Sequence, residues 1–133
     1  MSEQHVNTVR STYDAFKRGD IPGVLATLDP LIEWREADNF IYADGNPYIG
    51  HNAVVEGVFI RLGTEWDDFA ASPTEILDAG ETIVSLGYYT GTYKKTGKKV
   101  RAQFAHIFRF RDGKVAKFQQ YTDTAQFVQV VGN

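Results

Sequence analysis

The chain has 133 residues, a length at which a single domain buries roughly two-thirds of the surface that its unfolded form exposes. Its 17 acidic and 14 basic residues give a net charge of -3, without the basic excess that binding to nucleic acid or to an anionic membrane surface needs. The absence of cysteine excludes disulfides and thiolate chemistry. We therefore expect one domain over residues 1–133, with neither nucleic acid nor membrane as a partner.

The start of the chain, MSEQHVNTVR, lacks the apolar core of a signal peptide. No apolar run approaches the ~18 residues of a membrane span. We therefore expect a cytoplasmic protein, and the lack of cysteine fits a reducing compartment.

The first third of the chain has a helical pattern. One apolar face repeats at helical spacing, formed by Val6, Val9, Tyr13 and Phe16, and Gly19 closes this segment. Asp20 is predicted to cap a short second helix through Leu28, with Pro22 tolerated in its first turn. A short strand is predicted over residues 31–37 (LIEWREA), then a long loop over 38–50 and a helix from about His51 to Leu62. Loops of this length are often functional lids.

The second half changes to a two-residue period. Strands are predicted over residues 66–71, 74–79, 82–93, 99–111 and 115–123, separated by Pro73, Gly80, Thr96-Gly97 and Asp112-Gly113. Helices followed by such a run of strands indicate an α+β fold, in which the helices pack on one face of a curved antiparallel sheet. This geometry can leave a pocket between the sheet and the helices.

The last hairpin decides which residues share a face. If Asp112-Gly113 is a two-residue type I′ turn, Arg111 faces Lys114 and His106 faces Gln119. The inner face then holds Phe104, His106, Phe108, Gln119, Tyr121 and Asp123. The outer face holds Gln103, Ile107, Arg109, Phe118, Gln120 and Thr122, a mixture compatible with a homodimer interface.

The preceding hairpin has two possible registers. If Thr96-Gly97 is also a two-residue turn, Gly87 faces His106 and Tyr89 faces Phe104. A longer loop among the flanking lysines is the alternative. In the first case, a glycine beside His106 leaves open volume, which favours a cavity over a filled core.

Several stretches together resemble one known superfamily. They are Arg18-Gly19-Asp20 at a helix end, Ile32-Glu33-Trp34 in a strand, Gly50 before a helix, and the hairpin His106 to Val115 running into Tyr121-Thr122-Asp123-Thr124. The layout resembles the NTF2-like superfamily, in its SnoaL-like and ketosteroid-isomerase-like branch, over nearly the whole chain. The resemblance implies a cone-shaped barrel, with a curved sheet wrapped around N-terminal helices and a central pocket, that commonly dimerises. Members include isomerases, polyketide cyclases, dehydratases, epoxide hydrolases and binding modules, so the fold alone does not give the activity.

The site residues of these relatives carry over only in part. The resemblance places His106 where ketosteroid isomerase has the protonated Asp of its oxyanion hole, but the base position falls on Trp34 and the Tyr position on Thr12. Phe104 stands where an epoxide hydrolase would have an Arg. Steroid isomerisation and epoxide hydrolysis in those forms are therefore not expected. The acid/base Asp of SnoaL-like cyclases corresponds to Asp123.

Our hypothesis from the sequence is an acid/base pair of His106 and Asp123 facing an apolar, aromatic pocket. Such a pair would support enolisation, aldol closure or dehydration of a small apolar carbonyl compound without a cofactor. The candidate substrate-binding residues are Tyr13, Trp34, Glu36, Phe59, Tyr89, Phe104, Phe108, Gln119 and Tyr121.

Structural alternatives stand beside each role. His106 is alternatively a satisfied core histidine, and Asp123 a cap for the final segment from Thr124. Glu36 has the strand parity of Trp34 and is an alternative base, or else a solvated strand end. The aromatic candidates are alternatively core residues. The matching alternative function is a non-catalytic ligand-binding or dimerisation module.

No metal site is expected from the pattern of possible ligands. His5, His51 and His106 are dispersed, without a second nitrogen or sulfur ligand at a recognised spacing. The chain also lacks a Gly-rich phosphate loop and a nucleophile elbow.

Overall fold

A computed structural model of the protein describes residues 2–132. The elements, in chain order, are α1 (Ser2–Lys17), α2 (Ile21–Leu25), β1 (Leu28–Arg35), a 3-10 turn (Ala43–Gly45), β2 (Tyr48–Ile49), α3 (His51–Val54), a π-helical segment (Val55–Phe59), α4 (Ile60–Glu65), β3 (Trp66–Ala79), β4 (Thr82–Tyr93), β5 (Lys99–Arg111), β6 (Lys114–Thr122) and α5 (Thr124–Val131). The predicted α+β class is confirmed. Among the described residues, no helix is long and apolar enough to cross a membrane.

The first two helices form for the reasons that the sequence indicated. The apolar face of α1 packs Val9 and Tyr13 into the core, and Gly19 after its end adopts a left-handed φ of 71° that glycine tolerates best. Asp20 caps α2, because its Oδ1 accepts a hydrogen bond from the backbone N of Gly23 at 3.0 Å. The helix ends at Leu25 rather than at Leu28, which already belongs to β1.

The six strands form one curved, mixed sheet in the order β2-β1-β6-β5-β4-β3. The prediction of an entirely antiparallel sheet was wrong at one position, since β1 runs parallel to β6 with Trp34 beside Phe118. Residue alternation within a strand reports its exposed and buried faces but not the direction of its neighbour. The sequence pattern therefore could not reveal the parallel pair.

The predicted break at Pro73 is absent, because β3 continues from Trp66 to Ala79. Its pairing with β4 shifts between Pro73 and Glu75. Since β3 is an edge strand of the sheet, one side of its backbone needs no partner and a proline is tolerated there. The irregularity thus bends the strand without ending it.

The predicted register of β5 with β6 holds only next to the turn. Arg111 faces Lys114 as expected, but a bulge follows, so that Arg109 faces Lys117 and His106 faces Gln120 instead of Gln119. One extra residue exchanges the two faces of a strand beyond the bulge. The residues that pair with inward-facing positions of β5 are consequently Phe118, Gln120 and Thr122. The prediction that Gln119, Tyr121 and Asp123 lie on this inner face was wrong.

The register of β4 with β5 follows the longer-loop alternative. Tyr93 N donates to Lys98 O at 2.9 Å, which closes a four-residue loop from Lys94 to Gly97. His106 therefore faces Ser85 rather than Gly87. A shift of two residues preserves the faces, so Tyr89 still points inward.

The core lies between the inner face of the sheet and the helices, and its largest fully buried side chains include Phe108, Phe127 and Leu28. On the outer face of the sheet, Gln103 and Arg109 are exposed as predicted, and Ile107 is partly exposed. Dimerisation through this face stays a prediction.

Candidate active site

A small cavity lies between the inner face of the sheet, α1 and the helical segment from α3 to α4. Its volume is about 60 Å³, room for only a few water molecules. Most of its wall is apolar and aromatic, and its polar lining residues are Thr12, Tyr13, Glu36, Tyr89, His106 and Gln120. The cavity therefore exposes a handful of polar groups in a largely apolar surrounding.

A chain of buried hydrogen bonds crosses one wall of this cavity. Tyr13 Oη lies 2.6 Å from His106 Nδ1, and Tyr89 Oη lies 2.5 Å from His106 Nε2. Gln120 Nε2 donates to Tyr89 Oη at 2.9 Å, and Gln120 Oε1 accepts from the backbone N of Ala37 at 3.1 Å. The Ala37 contact fixes the amide orientation, so Gln120 must be the donor to Tyr89.

His106 is neutral in this environment. Burial lowers the pKa of its imidazole to about 3, because the charged form would lose its hydration. A neutral imidazole has one N–H donor and one acceptor nitrogen, so one tyrosine hydroxyl donates to the ring and the other accepts from it. The accepting hydroxyl keeps its own hydrogen. For either tautomer, one of the two tyrosines can therefore donate a hydrogen bond to a group in the cavity.

Glu36 supplies a buried carboxyl group to the same cavity. It directly follows β1 and is 2% exposed, which contradicts the alternative of a solvated strand end. Asn46 holds its backbone on both sides, with Glu36 N donating to Asn46 Oδ1 at 2.9 Å and Asn46 Nδ2 donating to Glu36 O at 2.7 Å. The carboxyl Oε2 has no hydrogen-bond partner among the described residues.

The proton affinity of Glu36 follows from this burial. Desolvation raises the pKa of its carboxyl to about 8, and the nearby Trp34 indole and the charge of Arg61 oppose that rise. At pH 7 about one tenth of the Glu36 carboxyls would be ionised. A group that exchanges its proton near neutral pH, placed in a cavity, is typical of a functional site.

Most of the predicted site residues meet at this cavity. Those that line it are Tyr13, Trp34, Glu36, Phe59, Tyr89, His106 and Phe108. Phe104 stacks on His106 with ring centroids 4.0 Å apart. Both ring nitrogens of His106 are bonded, as the core-histidine alternative expects, yet the same ring borders the cavity.

Besides Phe104, three predicted residues do not line the cavity. Gln119 and Tyr121 lie on the outer face because of the bulge, and Tyr121 is 56% exposed. Asp123 is also exposed, and its Oδ2 accepts a hydrogen bond from Gln126 Nε2 at 3.0 Å. The structure therefore does not bring Asp123 to His106. Asp123 does stand before α5, but its side chain makes no capping bond to the helix backbone.

Two residues of the site had been assigned to the wrong face. Phe118 and Gln120 were predicted to point outward, and nothing in the sequence marks the bulge that turns them inward. Glu36, in contrast, was detectable, because its alternation with Trp34 along the strand pattern indicated the inner face. No cluster of His, Cys, Asp and Glu in the described part of the chain could hold a metal ion.

Comparisons with known proteins agree with this fold. A model of the SnoaL-like domain matches residues 9–118. An NTF2-like protein from Burkholderia thailandensis E264 is 36% identical, with 96% of each chain covered and a TM-score of 0.90. An NTF2-like protein of unknown function from Burkholderia pseudomallei K96243 is 32% identical, with 98% of each chain covered and a TM-score of 0.89.

A more distant structure, TerC co-crystallised with polyporic acid, is 24% identical over 98% of this chain and 99% of that chain, with a TM-score of 0.87. A search of curated proteins gave no match. The domain match covers most of the chain, and the Burkholderia thailandensis structure adds substantial identity over almost its whole length. The chain therefore belongs to the SnoaL-like domain family and has the NTF2-like fold.

Proposed function

We propose that the protein is a cofactor-independent acid/base catalyst that moves a proton next to the carbonyl group of a small organic compound. The observation that supports this most directly is the buried carboxyl of Glu36, whose Oε2 has no hydrogen-bond partner among the described residues, in a cavity that it shares with a hydroxyl–imidazole chain. This corresponds to the isomerase, cyclase or dehydratase class of chemistry. Glu36 takes the base role that the sequence analysis had given to Asp123.

The groups of the cavity have complementary roles in such a step. Ionised Glu36 removes the proton from the carbon beside the carbonyl, and the electron pair of that C–H bond moves to form an enolate. The enolate oxygen accepts a hydrogen bond from Tyr13 or Tyr89, whichever hydroxyl does not donate to His106. A hydrogen-bond donor aimed at the developing negative charge stabilises the enolate. Protonated Glu36 then returns a proton to carbon, and charges balance over the cycle.

The neutral state of His106 suits this arrangement. The neutral ring accepts a hydrogen bond from one tyrosine and donates one to the other, whose own hydrogen stays available to the enolate oxygen. His106 acts here as a positioning residue, because it orients the tyrosine hydroxyls and does not itself have to gain or lose a proton. Phe104, stacked on the ring, restricts its orientation further.

Binding without turnover is the alternative function. The cavity of about 60 Å³ is far below the ~300–1,000 Å³ of typical ligand sites, so only a small part of a substrate fits inside. TerC, a structural relative, was crystallised with polyporic acid, which supports the binding of organic molecules in this fold. Turnover is therefore the property that an experiment has to establish.

The test is exchange of the methyl hydrogens of acetone in deuterated water, followed by proton NMR. The wild type should accelerate exchange, and Glu36→Gln should lower the rate by about 100-fold, since a positioned acid/base group contributes roughly 10²–10⁴-fold. Glu33→Gln is the matched control, because Glu33 lies on β1, three residues before Glu36, is partly exposed and does not line the cavity.

The pH profile gives an independent check. For a carboxylate base with a pKa of about 8, kcat/KM should rise with pH and level off above about 8. If wild type gives no acceleration, or Glu36→Gln exchanges as fast as wild type, the catalytic proposal is wrong and binding without turnover remains.

A further inference from the structure

A surface groove adjoins the cavity between α1 and the edge strand β3. Its volume is about 570 Å³, and it is lined by Arg10, Tyr13, Asp14 and Lys17 of α1 and by residues 70–76 of β3. Two of these residues, Tyr13 and Ala71, also line the inner cavity. The groove and the cavity thus meet at these two side chains.

The local structure explains why the groove is open. Residues 10, 13, 14 and 17 follow helical spacing and form one face of α1 towards β3. On the strand, the short side chains of Ala70, Ala71 and Ser72 leave space, and the irregularity after Pro73 bends the edge. Because no strand of the described residues pairs with the free side of β3, this space is open to the surface.

The two volumes point to a ligand in two parts. The inner cavity of about 60 Å³ accepts only a group of a few atoms, whereas the groove of about 570 Å³ falls within the ~300–1,000 Å³ of typical small-molecule sites. The buried polar side chains of Glu36, Tyr89 and His106 line the cavity and not the groove. A substrate must therefore place its reactive end inside and the rest of the molecule in the groove.

The charges of the groove indicate the chemistry of that remaining part. Arg10 and Lys17 contribute two positive charges, and Asp14 and Glu75 two negative ones, so the formal charges along the groove cancel. None of the four forms an ion pair with another described residue. A charged tail would be attracted by one pair and repelled by the other. Hydroxyl and amide groups can bond to both kinds, and ether oxygens can accept hydrogen bonds from Arg10 and Lys17.

We infer that the cavity and the α1–β3 groove form one divided binding site for a compound with a compact carbonyl head and a longer, uncharged polar tail. The head lies beside Glu36, and the tail passes between Tyr13 and Ala71 into the groove. This inference rests on the proposed function for the identity of the head. It adds the shape and charge of the substrate class and the route by which the substrate enters.

The experiment compares acetone with a methyl ketone that carries a short oligo(ethylene glycol) tail, using NMR titration of the full protein. The tailed ketone should bind wild type at least about tenfold more tightly, a modest gain for added contacts. It should shift the methyl signals of Ile76, which lines the groove but not the cavity, and leave those of the neighbouring, exposed Leu77 unchanged. Acetone should shift neither.

A pair of variants tests the passage itself. Ala71→Phe blocks the passage between the cavity and the groove and should abolish the affinity advantage of the tailed ketone. Ala79→Phe, the same change at an exposed position of the same strand, should keep that advantage. An unshifted Ile76 on binding of the tailed ketone, or an undiminished advantage in a folded Ala71→Phe, would overturn the inference. The Ile76 measurement needs no variant, so it decides even if Ala71→Phe does not fold.

Two further ketones, with carboxylate-ended and ammonium-ended tails, test the charge assignment. Both should bind more weakly than the neutral compound, and a charged compound that binds about tenfold more tightly than the neutral one overturns the uncharged tail. Failure of the proposed function has a different signature. If Ile76 shifts as expected but Glu36→Gln does not change exchange, the groove assignment stands and the catalytic role of Glu36 falls. If Glu36 is needed for exchange but the tail adds nothing, the groove assignment alone falls.

Discussion

The neighbouring strands β1 and β6 are each followed by a carboxyl residue, and the contrast between these two residues explains much about this protein. Glu36 follows β1 and points into an apolar cavity, with its pKa raised to about 8 by burial. Asp123 follows β6, is exposed to solvent and bonds the side chain of Gln126. Of the two carboxyl residues, only Glu36 is therefore placed where burial changes its proton affinity.

The difference arises from a single extra residue in β6. Without the bulge beyond Phe110 and Val115, the alternation of β6 would have carried Asp123 to the inner face. With the bulge, Gln120 takes the inward position and completes the hydrogen-bond chain to Tyr89. A neutral amide at this place leaves Glu36 as the carboxyl group of the cavity.

The largest expected effect separates these two carboxyl residues by activity. In the acetone exchange assay, Glu36→Gln should lower the rate by about 100-fold and Asp123→Asn by less than about twofold, because only the first touches the cavity. A large loss of exchange rate in Asp123→Asn, in a protein that still has Glu36, would support the acid/base role that the family resemblance implied for Asp123.

The second effect is a pH dependence of the free energy of unfolding, measured by urea denaturation. The pKa of Glu36 is raised from 4.5 to about 8, so its contribution to stability is complete below about pH 4.5 and is lost as the pH rises to 8. The pKa of His106 is lowered from 6.5 to about 3, so its contribution is complete above about pH 6.5 and is lost as the pH falls to 3.

From these two groups together, the free energy of unfolding should rise from pH 3 to 4.5, stay level to 6.5 and fall by about 2 kcal/mol between pH 6.5 and 8. Glu36→Gln should remove that fall, and Glu33→Gln should leave it in place. An equal fall in Glu36→Gln would show that Glu36 is not the group that titrates.

The third effect compares two tyrosines, one on each face of the sheet. Tyr89→Phe leaves His106 and Gln120 without a shared partner in the core and should lower the free energy of unfolding by about 1–3 kcal/mol. Tyr121→Phe, at an exposed position on the outer face, should change it by less than about 0.5 kcal/mol. Urea denaturation of both variants at one pH checks this, and similar losses would contradict the hydrogen-bond chain.

The smallest effect compares two aspartates that precede helices. Asp20→Ala removes a side-chain cap to Gly23 N and should cost about 1 kcal/mol of stability. Asp123→Ala, whose side chain makes no such bond to α5, should cost less than about 0.5 kcal/mol. Equal costs in thermal or urea unfolding would mean that Asp123 caps α5 in solution.

Much of the fold follows from local patterns in the chain. The spacing of Val9 and Tyr13 predicted α1, and Asp20 and Pro22 predicted the start of α2. The two-residue alternation predicted most of the strand segments. The inner positions on β4 and β5 were also predictable, since a two-residue error in the loop after Tyr93 does not exchange faces. The inward direction of Glu36 was predictable as well, because it alternates with Trp34 along the strand pattern.

By itself, the sequence determined the α+β class, the amphipathic elements and the residues that those elements bury, because periodicity and capping are properties of short segments. Only the tertiary structure decided the parallel pairing of β1 with β6, the bulge that excludes Asp123 and admits Gln120, and the burial that raises the pKa of Glu36. Each of these depends on contacts between segments distant in the chain, and solvent exclusion around a carboxyl group is a property of the whole packed core rather than of any stretch of residues.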